Sequence, residues 1–499
     1  IFASQTVVNG DNALTFDVPS WAVSGTTYAR LRLSTTGALG VTGSAVDGEV
    51  EDYEIEIIPP VATSGVFGGE DIISDSASQT TNVFAVDLDG DGDMDALSTS
   101  ELDDTIAWYE NDGAQSFTRH VISDAAVLAT GVFAVDVDGD GDVDVLSASV
   151  DDDKIAWYEN DGNQNFSERV ISTNANEALS VFAADIDRDG DIDVLSTSQL
   201  DDKIAWYEND GSQNFTEQVI TTSADGALSV FVADVDGDGD VDVLSASFKD
   251  DTIAWYENDG SQNFTTQLIT TNADGARSVF AADVDSDGDM DVLSASNGDD
   301  KVAWYENDGS QSFTERVITI SADGAESVFA ADMDGDGDID ILSASEFDWK
   351  IALFENDGSE NFTERAISSN ARVAHRVFAA DVDGDGDMDV LSASSGDDKI
   401  AWYENLAFDF GDAPASYPVT LAENGARHAS TGPTLGITRD VDTDGTHSTA
   451  ADADGADEDG VVDTGADIIV GQTGAGVTIN VQNAPSGAKL DAWMDFNQD

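Results

Sequence analysis

Cysteine is absent from this chain. A disulfide framework and thiolate metal sites are therefore excluded, while the compartment stays open on that ground alone. Basic residues are scarce: 19 Lys and Arg stand against 102 Asp and Glu, giving a net charge of −83. Nucleic acid and anionic membranes are excluded as partners, because their phosphates would be repelled. No run of 18 apolar residues occurs, so nothing reads as a membrane span. No convincing 3.6-residue apolar period occurs either, which leaves helices without a signal. G-x-S-x-G, H-E-x-x-H and phosphate-loop motifs are missing. The four histidines, His120, His375, His428 and His447, fall in non-equivalent places, and none has catalytic or ligand spacing to another. The expectation is a protein that is not an enzyme. Hydrophobic residues still make up 40% of the chain, enough for a large core and against global disorder. The length of 499 residues allows two or three domains.

What the chain has in excess is aspartate in register. The string Asp87-Leu-Asp-Gly-Asp-Gly-Asp-Met-Asp95 recurs seven times at a constant step of 49 residues. The first copy supplies Asp87, Asp89, Asp91, Asp93 and Asp95, and the second Asp136, Asp138, Asp140, Asp142 and Asp144. The third supplies Asp185, Asp187, Asp189, Asp191 and Asp193, and the fourth Asp234, Asp236, Asp238, Asp240 and Asp242. The fifth holds Asp283, Asp285, Asp287, Asp289 and Asp291, and the sixth Asp332, Asp334, Asp336, Asp338 and Asp340. The seventh holds Asp381, Asp383, Asp385, Asp387 and Asp389. Carboxylates so crowded repel one another unless a cation neutralises them. Hard cations such as Ca²⁺ take six to eight oxygens, which alternate residues of a tight loop can provide. By analogy with other D-x-D-x-D-G loops, positions one, three and five give side-chain oxygens and the glycine at six allows the bend. Position seven gives its carbonyl, and position nine closes the shell in bidentate fashion. Position twelve is Ser98 where a helical EF-hand has Glu, and no helix flanks the loop, so an EF-hand is excluded. About seven Ca²⁺ are expected, one per repeat. Because free calcium is plentiful outside cells, an extracellular or cell-surface location follows.

Each repeat reads as four short strands. In the third copy these are Val181-Phe-Ala-Ala, Asp193-Val-Leu-Ser-Thr-Ser, Lys203-Ile-Ala-Trp-Tyr-Glu-Asn and Phe215-Thr-Glu-Gln-Val-Ile-Thr. All are rich in β-branched and aromatic residues and bounded by turn residues. The turn Asn209-Asp210-Gly211 joins the last two, with Gly free to take positive φ. Seven four-stranded antiparallel units predict an all-β fold, a seven-bladed β-propeller, in preference to a parallel β-helix. The last repeat stops at Trp402-Tyr403-Glu404-Asn405 without a fourth strand, and a stray one, Val66 to Ser74, precedes the first loop. Its Ile73 stands 11 residues before Phe84, the spacing of Ile122 to Phe133. The stray strand is expected to complete the last blade and so leave no loose edge at the seam.

These loops and strands, over residues 66–406, resemble the FG-GAP/VCBS-type repeats, the family that includes the propeller of integrin α-subunits. The resemblance implies a Ca²⁺ between the first and second strands of each blade. Arg188 and Ser286 depart from the pattern by replacing the first loop glycine, and Arg188 puts a cation beside a site. Residues 1–58 end in Gly48-Glu-Val-Glu-Asp-Tyr53, and residues 407–499 open with Asp409-Phe-Gly-Asp-Ala-Pro414. These resemble the tail and head of GEVED domains of bacterial surface proteins, flanking the propeller as partial β-sandwich-like domains, with residues 59–65 as a linker. Because a closed ring brings its two ends together, Glu51–Ile57 is expected to pair with the 466–496 region in one composite domain. A second acidic stretch, 440–459, reads equally as a solvated loop or another cation site. The first residues, Ile1-Phe-Ala-Ser4, are no signal peptide, and the last stop inside an acidic motif, so the sequence reads as a piece of a longer chain.

The Trp-Tyr pair of the third strand, Trp108-Tyr109 and its equivalents, recurs in every blade but the sixth, which has Leu353-Phe354. Like-for-like replacement points to packing between blades in preference to sugar-stacking platforms. Glu110 and its equivalents recur in each blade, which suits a structural role. The resulting reading is a non-enzymatic, calcium-stabilised extracellular module of structural or adhesive character. Its partners would be neighbouring modules of its own chain and a surface glycan or protein. The alternatives are a carbohydrate-binding propeller lectin and a polysaccharide-active enzyme. Blade six, with Phe347, Asp348 and Trp349, is where a unique site is expected if one exists.

Overall fold

The computed structural model describes residue 63 and residues 65–406, together with the backbone of strands in the flanking segments. Blade one comprises strands Thr80–Val86, Asp95–Ser100, Thr105–Asn111 and Phe117–Ser123, hydrogen-bonded in that order and antiparallel. The next five blades repeat it, as in Ala178–Ala184, Asp193–Ser198, Lys203–Asn209 and Phe215–Thr221 of blade three. Blade seven has Ala374–Ala380, Asp389–Ser394 and Lys399–Tyr403, and takes its fourth strand, Asp71–Ser74, from ahead of blade one. The described residues thus form the expected all-β propeller of seven four-stranded antiparallel blades.

Two further observations establish closure at the seam. Lys399 binds Glu70 at 2.9 Å, repeating across the seam the pairs Lys154–Glu168 and Lys203–Glu217 that other blades make internally. The phenylalanines of the seven inner strands also form an unbroken circuit: Phe84, Phe133, Phe182, Phe231, Phe280, Phe329, Phe378 and back to Phe84. Neighbouring ring centroids lie between 4.5 and 5.3 Å apart. Aromatic pairs at such separations each add about 0.5–1.5 kcal/mol beyond area burial.

The core lies between blades. Trp108 packs with Val132, Ala134 and Tyr158 of blade two, whereas Tyr109 packs on the other face with Leu391 and Trp402 of blade seven. Period-two alternation places the two rings on opposite faces of one strand, and both faces are buried because each meets a neighbour. Trp157, Trp255 and Trp304 are among the most deeply buried side chains. Packing is therefore the role of the Trp-Tyr pair.

In the flanking segments, Glu49–Ile57 pairs antiparallel with Gly25–Leu33. Val461–Val462 pairs with Thr478–Ile479, and Thr434–Leu435 with Val481–Gln482. The pairing expected between Glu51–Ile57 and the 466–496 region is not among the ladders of the described residues, and most of 407–499, with the acidic stretch at 440–459, lies outside them.

Candidate metal centre

Each aspartate loop joins the first and second strands of its blade. In loop one the carboxylate of Asp87 organises the turn: Oδ1 accepts the N–H groups of Gly90 and Asp91 at 2.8 and 3.1 Å, and Oδ2 accepts that of Gly92 at 3.0 Å. Asp89 accepts from Asp91 N, and Asp91 from Asp93 N. These side-chain-to-backbone bonds are why aspartate suits such a loop before any ion is considered. The glycine at position six has φ of 100° in loop one and 103° in loop three, beyond the range side-chain-bearing residues favour.

The loop brings positions one, three and nine together. Carboxylate oxygens of Asp87, Asp89 and Asp95 lie within 4.8 Å of one another, as do those of Asp136, Asp138 and Asp144, and of Asp185, Asp187 and Asp193. The same holds for Asp234, Asp236 and Asp242 and for Asp283, Asp285 and Asp291. Position five stands outside this group. Position seven turns its carboxylate to the Asn-Asp-Gly turn: a Cβ on Gly113 would lie 2.5 Å from Asp93 Oδ2, and five later turns repeat this within 0.1 Å. That glycine therefore serves twice, as a positive-φ residue and as room for the loop.

Asp95 is the deepest of the group. Its Oδ2 accepts Leu88 N at 3.1 Å and its Oδ1 accepts Asn111 N at 2.8 Å. Burial nevertheless pushes its carboxyl up to about 7, and that of Asp193 to about 8. Oδ1 of Asp185 and of Asp234 is buried without a hydrogen-bond partner. In loop seven, burial and then the carboxylates of Asp385, Asp389, Asp383 and Asp381 push Asp387 up to about 9, and both its oxygens lack partners. Blade seven has no Asn-Asp-Gly turn to receive this side chain. An all-oxygen donor set, converging carboxylates and orphaned buried oxygens together fit a hard divalent cation.

Asn111 and its equivalents are part of this centre, and the sequence reading missed them. The side-chain amide of Asn111 donates to Met94 O of its own loop at 3.1 Å and to Val382 O in the loop of blade seven at 3.0 Å. Asn307 does the same with Met290 O and Val235 O at 3.1 Å each. Asn111, Asn209, Asn258, Asn307 and Asn356 each tie two adjacent loops together in this way. The signal was the recurrence of this asparagine, including Asn405 where the turn is lost. Arg188 also reaches across blades. It pairs at 2.6 Å with Asp240 in loop four, so its charge serves the neighbouring loop. Glu159 and Glu306 pair with Arg169 and Arg316 on the outer strand, as structural residues do.

Six overlapping stretches, residues 87–147, 136–196, 185–245, 234–294, 283–343 and 332–392, match the FG-GAP-like repeat, together more than half of the chain. The chain belongs to the FG-GAP-like repeat family. Residues 1–56 of this FG-GAP protein match the GEVED domain. No curated protein matches it. Among solved structures, BBS1N in its complex with ARL6DN is 12% identical, with a TM-score of 0.49 over 69% of this chain and 98% of that one. A protein from Lactobacillus plantarum is 15% identical, with a TM-score of 0.48 over 69% and 94%. A candidate 6-phosphogluconolactonase from Bacteroides fragilis is 13% identical, with a TM-score of 0.47 over 68% and 94%. Likenesses this distant bear on neither the activity nor the ligands of the FG-GAP propeller.

Proposed function

We propose that this FG-GAP propeller is a calcium-stabilised, non-enzymatic structural and adhesion module of a large bacterial surface or secreted protein, working outside the cell. The observation that carries this reading is the recurrence of three converging carboxylates in successive loops, each within 4.8 Å. Aspartates at positions one, three and nine would hold the ion, which supplies positive charge where the fold concentrates negative charge. The asparagine ties then couple neighbouring loops, so that order in one favours order in the loop it is tied to. The result is a stiff disc carried between other modules of the same chain, able to present a surface glycan or protein ligand with fixed geometry. The lectin alternative loses its sugar platforms, because the recurring indoles are buried between blades. Among the described residues no helix is long and apolar enough to cross a membrane.

Calorimetric titration with Ca²⁺ is expected to report about seven sites with affinities on the order of 10⁻⁴ M, as in extracellular modules. At a hundredfold excess over that constant, each site adds roughly 2.7 kcal/mol, so chelation should lower Tm substantially. An absence of binding heat together with identical melting in chelator and in calcium would sink the proposal.

A further inference from the structure

Repeats built on one frame differ most where the frame makes no demand. Here the aspartate loops and Asn-Asp-Gly turns, at one end of each blade, are near copies of each other. The opposite end is formed by the loop between strands two and three and by the connection entering strand one, which hydrogen-bond together, as from Glu101 N to Gln79 O and Val150 N to Leu128 O. That end diverges: Leu102, Leu200, Phe347 and Trp349 stand exposed there, and Arg372 lies over the Trp349 ring at 5.3 Å. The sequence-odd blade six belongs to this divergent end.

One position close to it breaks the pattern in kind. Two residues before the ring-forming phenylalanine, the inner strands carry Asn82, Gly131, Ser180, Ser229, Ser278 and Ser327. These fit the narrow crevice to the next blade. Asn82 donates to Thr130 O at 3.2 Å, and Ser278 and Ser327 each accept a backbone N–H from Val328 and Val377 at 3.4 Å. A Cβ on Gly131 would lie 2.9 Å from Leu179 O. Blade seven places Arg376 there. A guanidinium cannot occupy the space of a hydroxyl. Many protein atoms surround Arg376, yet the residue is only half-buried and keeps contact with water.

Arg376 makes no hydrogen bond or ion pair through its side chain among the described residues, and its Nε is sealed from water without an acceptor. Other cations have acidic or aromatic partners: Arg277, whose Nε also lacks a hydrogen bond, has Glu326 at 3.5 Å and the Phe248 ring at 4.5 Å, and Lys249 has Asp225 at 4.0 Å. Burial alone pushes the Arg376 guanidinium down to about 10, so it stays charged near neutrality, and no carboxylate offsets that burial. A crowded charge with no acidic partner is stabilised when a counter-ion arrives. In a chain with 102 acidic residues, the missing acid is itself informative.

We propose that Arg376 anchors a binding site for a small monocarboxylate, entered from the divergent end of the propeller and floored by the phenylalanine ring. The planar fork of a guanidinium matches a carboxylate with two parallel hydrogen bonds. A single negative charge is favoured because the field of a protein at −83 repels more highly charged anions. This inference is independent of calcium occupancy and of the adhesion reading.

The test uses the full chain in calcium at constant ionic strength, titrated with carbon-13-labelled acetate and followed by NMR. Saturable binding of one acetate is expected, with acetamide and chloride at matched concentration inactive. Arg376→Ser, which installs the residue of blades three to six, should weaken binding by about tenfold or more, the scale of a lost charged hydrogen bond. Arg376→Lys should fall between the two. The same Arg376→Ser variant should raise Tm without acetate, and acetate should raise the Tm of the wild type only. Non-saturable shifts, equal effects of chloride and acetate, or equal binding by wild type and Arg376→Ser would each overturn the assignment. A lowered Tm in Arg376→Ser with acetate binding retained would do so as well.

Discussion

At the scale of single residues, the two glycines of loop one look alike in sequence and differ in backbone. Gly90 has φ of 76°, and the same position holds Arg188 at 61° and Ser286 at 59°, so this site accepts the left-handed region that ordinary residues reach at modest cost. Gly92 has φ of 100°, and all seven equivalents are glycine. Gly90→Ala is therefore expected to lower stability by about 1 kcal/mol, whereas Gly92→Ala should cost more and reduce calcium binding at that loop. Urea unfolding in calcium measures both, and equal costs would refute the distinction. The sequence showed which position tolerates replacement, through Arg188 and Ser286. It did not show that Arg188 reaches Asp240, because a partner 52 residues away is set by how blades are laid side by side.

At the scale of elements, the unit of stability is a junction between blades. The Trp-Tyr pairs were legible as junction material because aromatic bulk on both faces of a strand has few other uses. The asparagine that follows them was not, because its partners are 17 and 72 residues away and one is in a different blade. A polar residue at a strand end also has an ordinary reading as turn punctuation. Asn209→Ala is expected to strand two buried carbonyls, Ile192 O and Val137 O, at a cost of about 1–3 kcal/mol. Those carbonyls belong to loops three and two, so the variant should weaken calcium binding at two loops at once. A titration showing a single altered site would contradict this coupling. Seven strict repeats made the blade count and the seam readable, since the frame never slips. Which aspartates converge was only partly readable: positions one, three and nine meet, whereas the side chain of position seven turns to a glycine that sequence assigns to another element.

At the scale of the whole molecule, the deep aspartates make stability depend on pH in opposite senses with and without metal. Burial pushes Asp95, Asp144, Asp242 and Asp291 up to about 7 and Asp193 to about 8. In the unfolded chain these groups titrate near the ordinary carboxylate value of about 3.9. Between the two values the metal-free folded state holds more protons than the unfolded one, so its stability must fall as pH rises through this window. The general repulsion of a chain at −83 has the same sign, but added salt screens exposed charges far more than buried ones. Calcium bound as proposed would replace the protons and support the ionised loops, so its benefit would grow over the window in which the metal-free protein weakens. In chelator at high salt, Tm should therefore decline from about pH 5 to about pH 8, and the rise in Tm on adding calcium should be small at the acid end and large at the alkaline end. A metal-free protein that gains stability with rising pH would show that these carboxylates are not held protonated by the fold. A calcium benefit that is largest in acid would show that the ion binds elsewhere than at the deep aspartates.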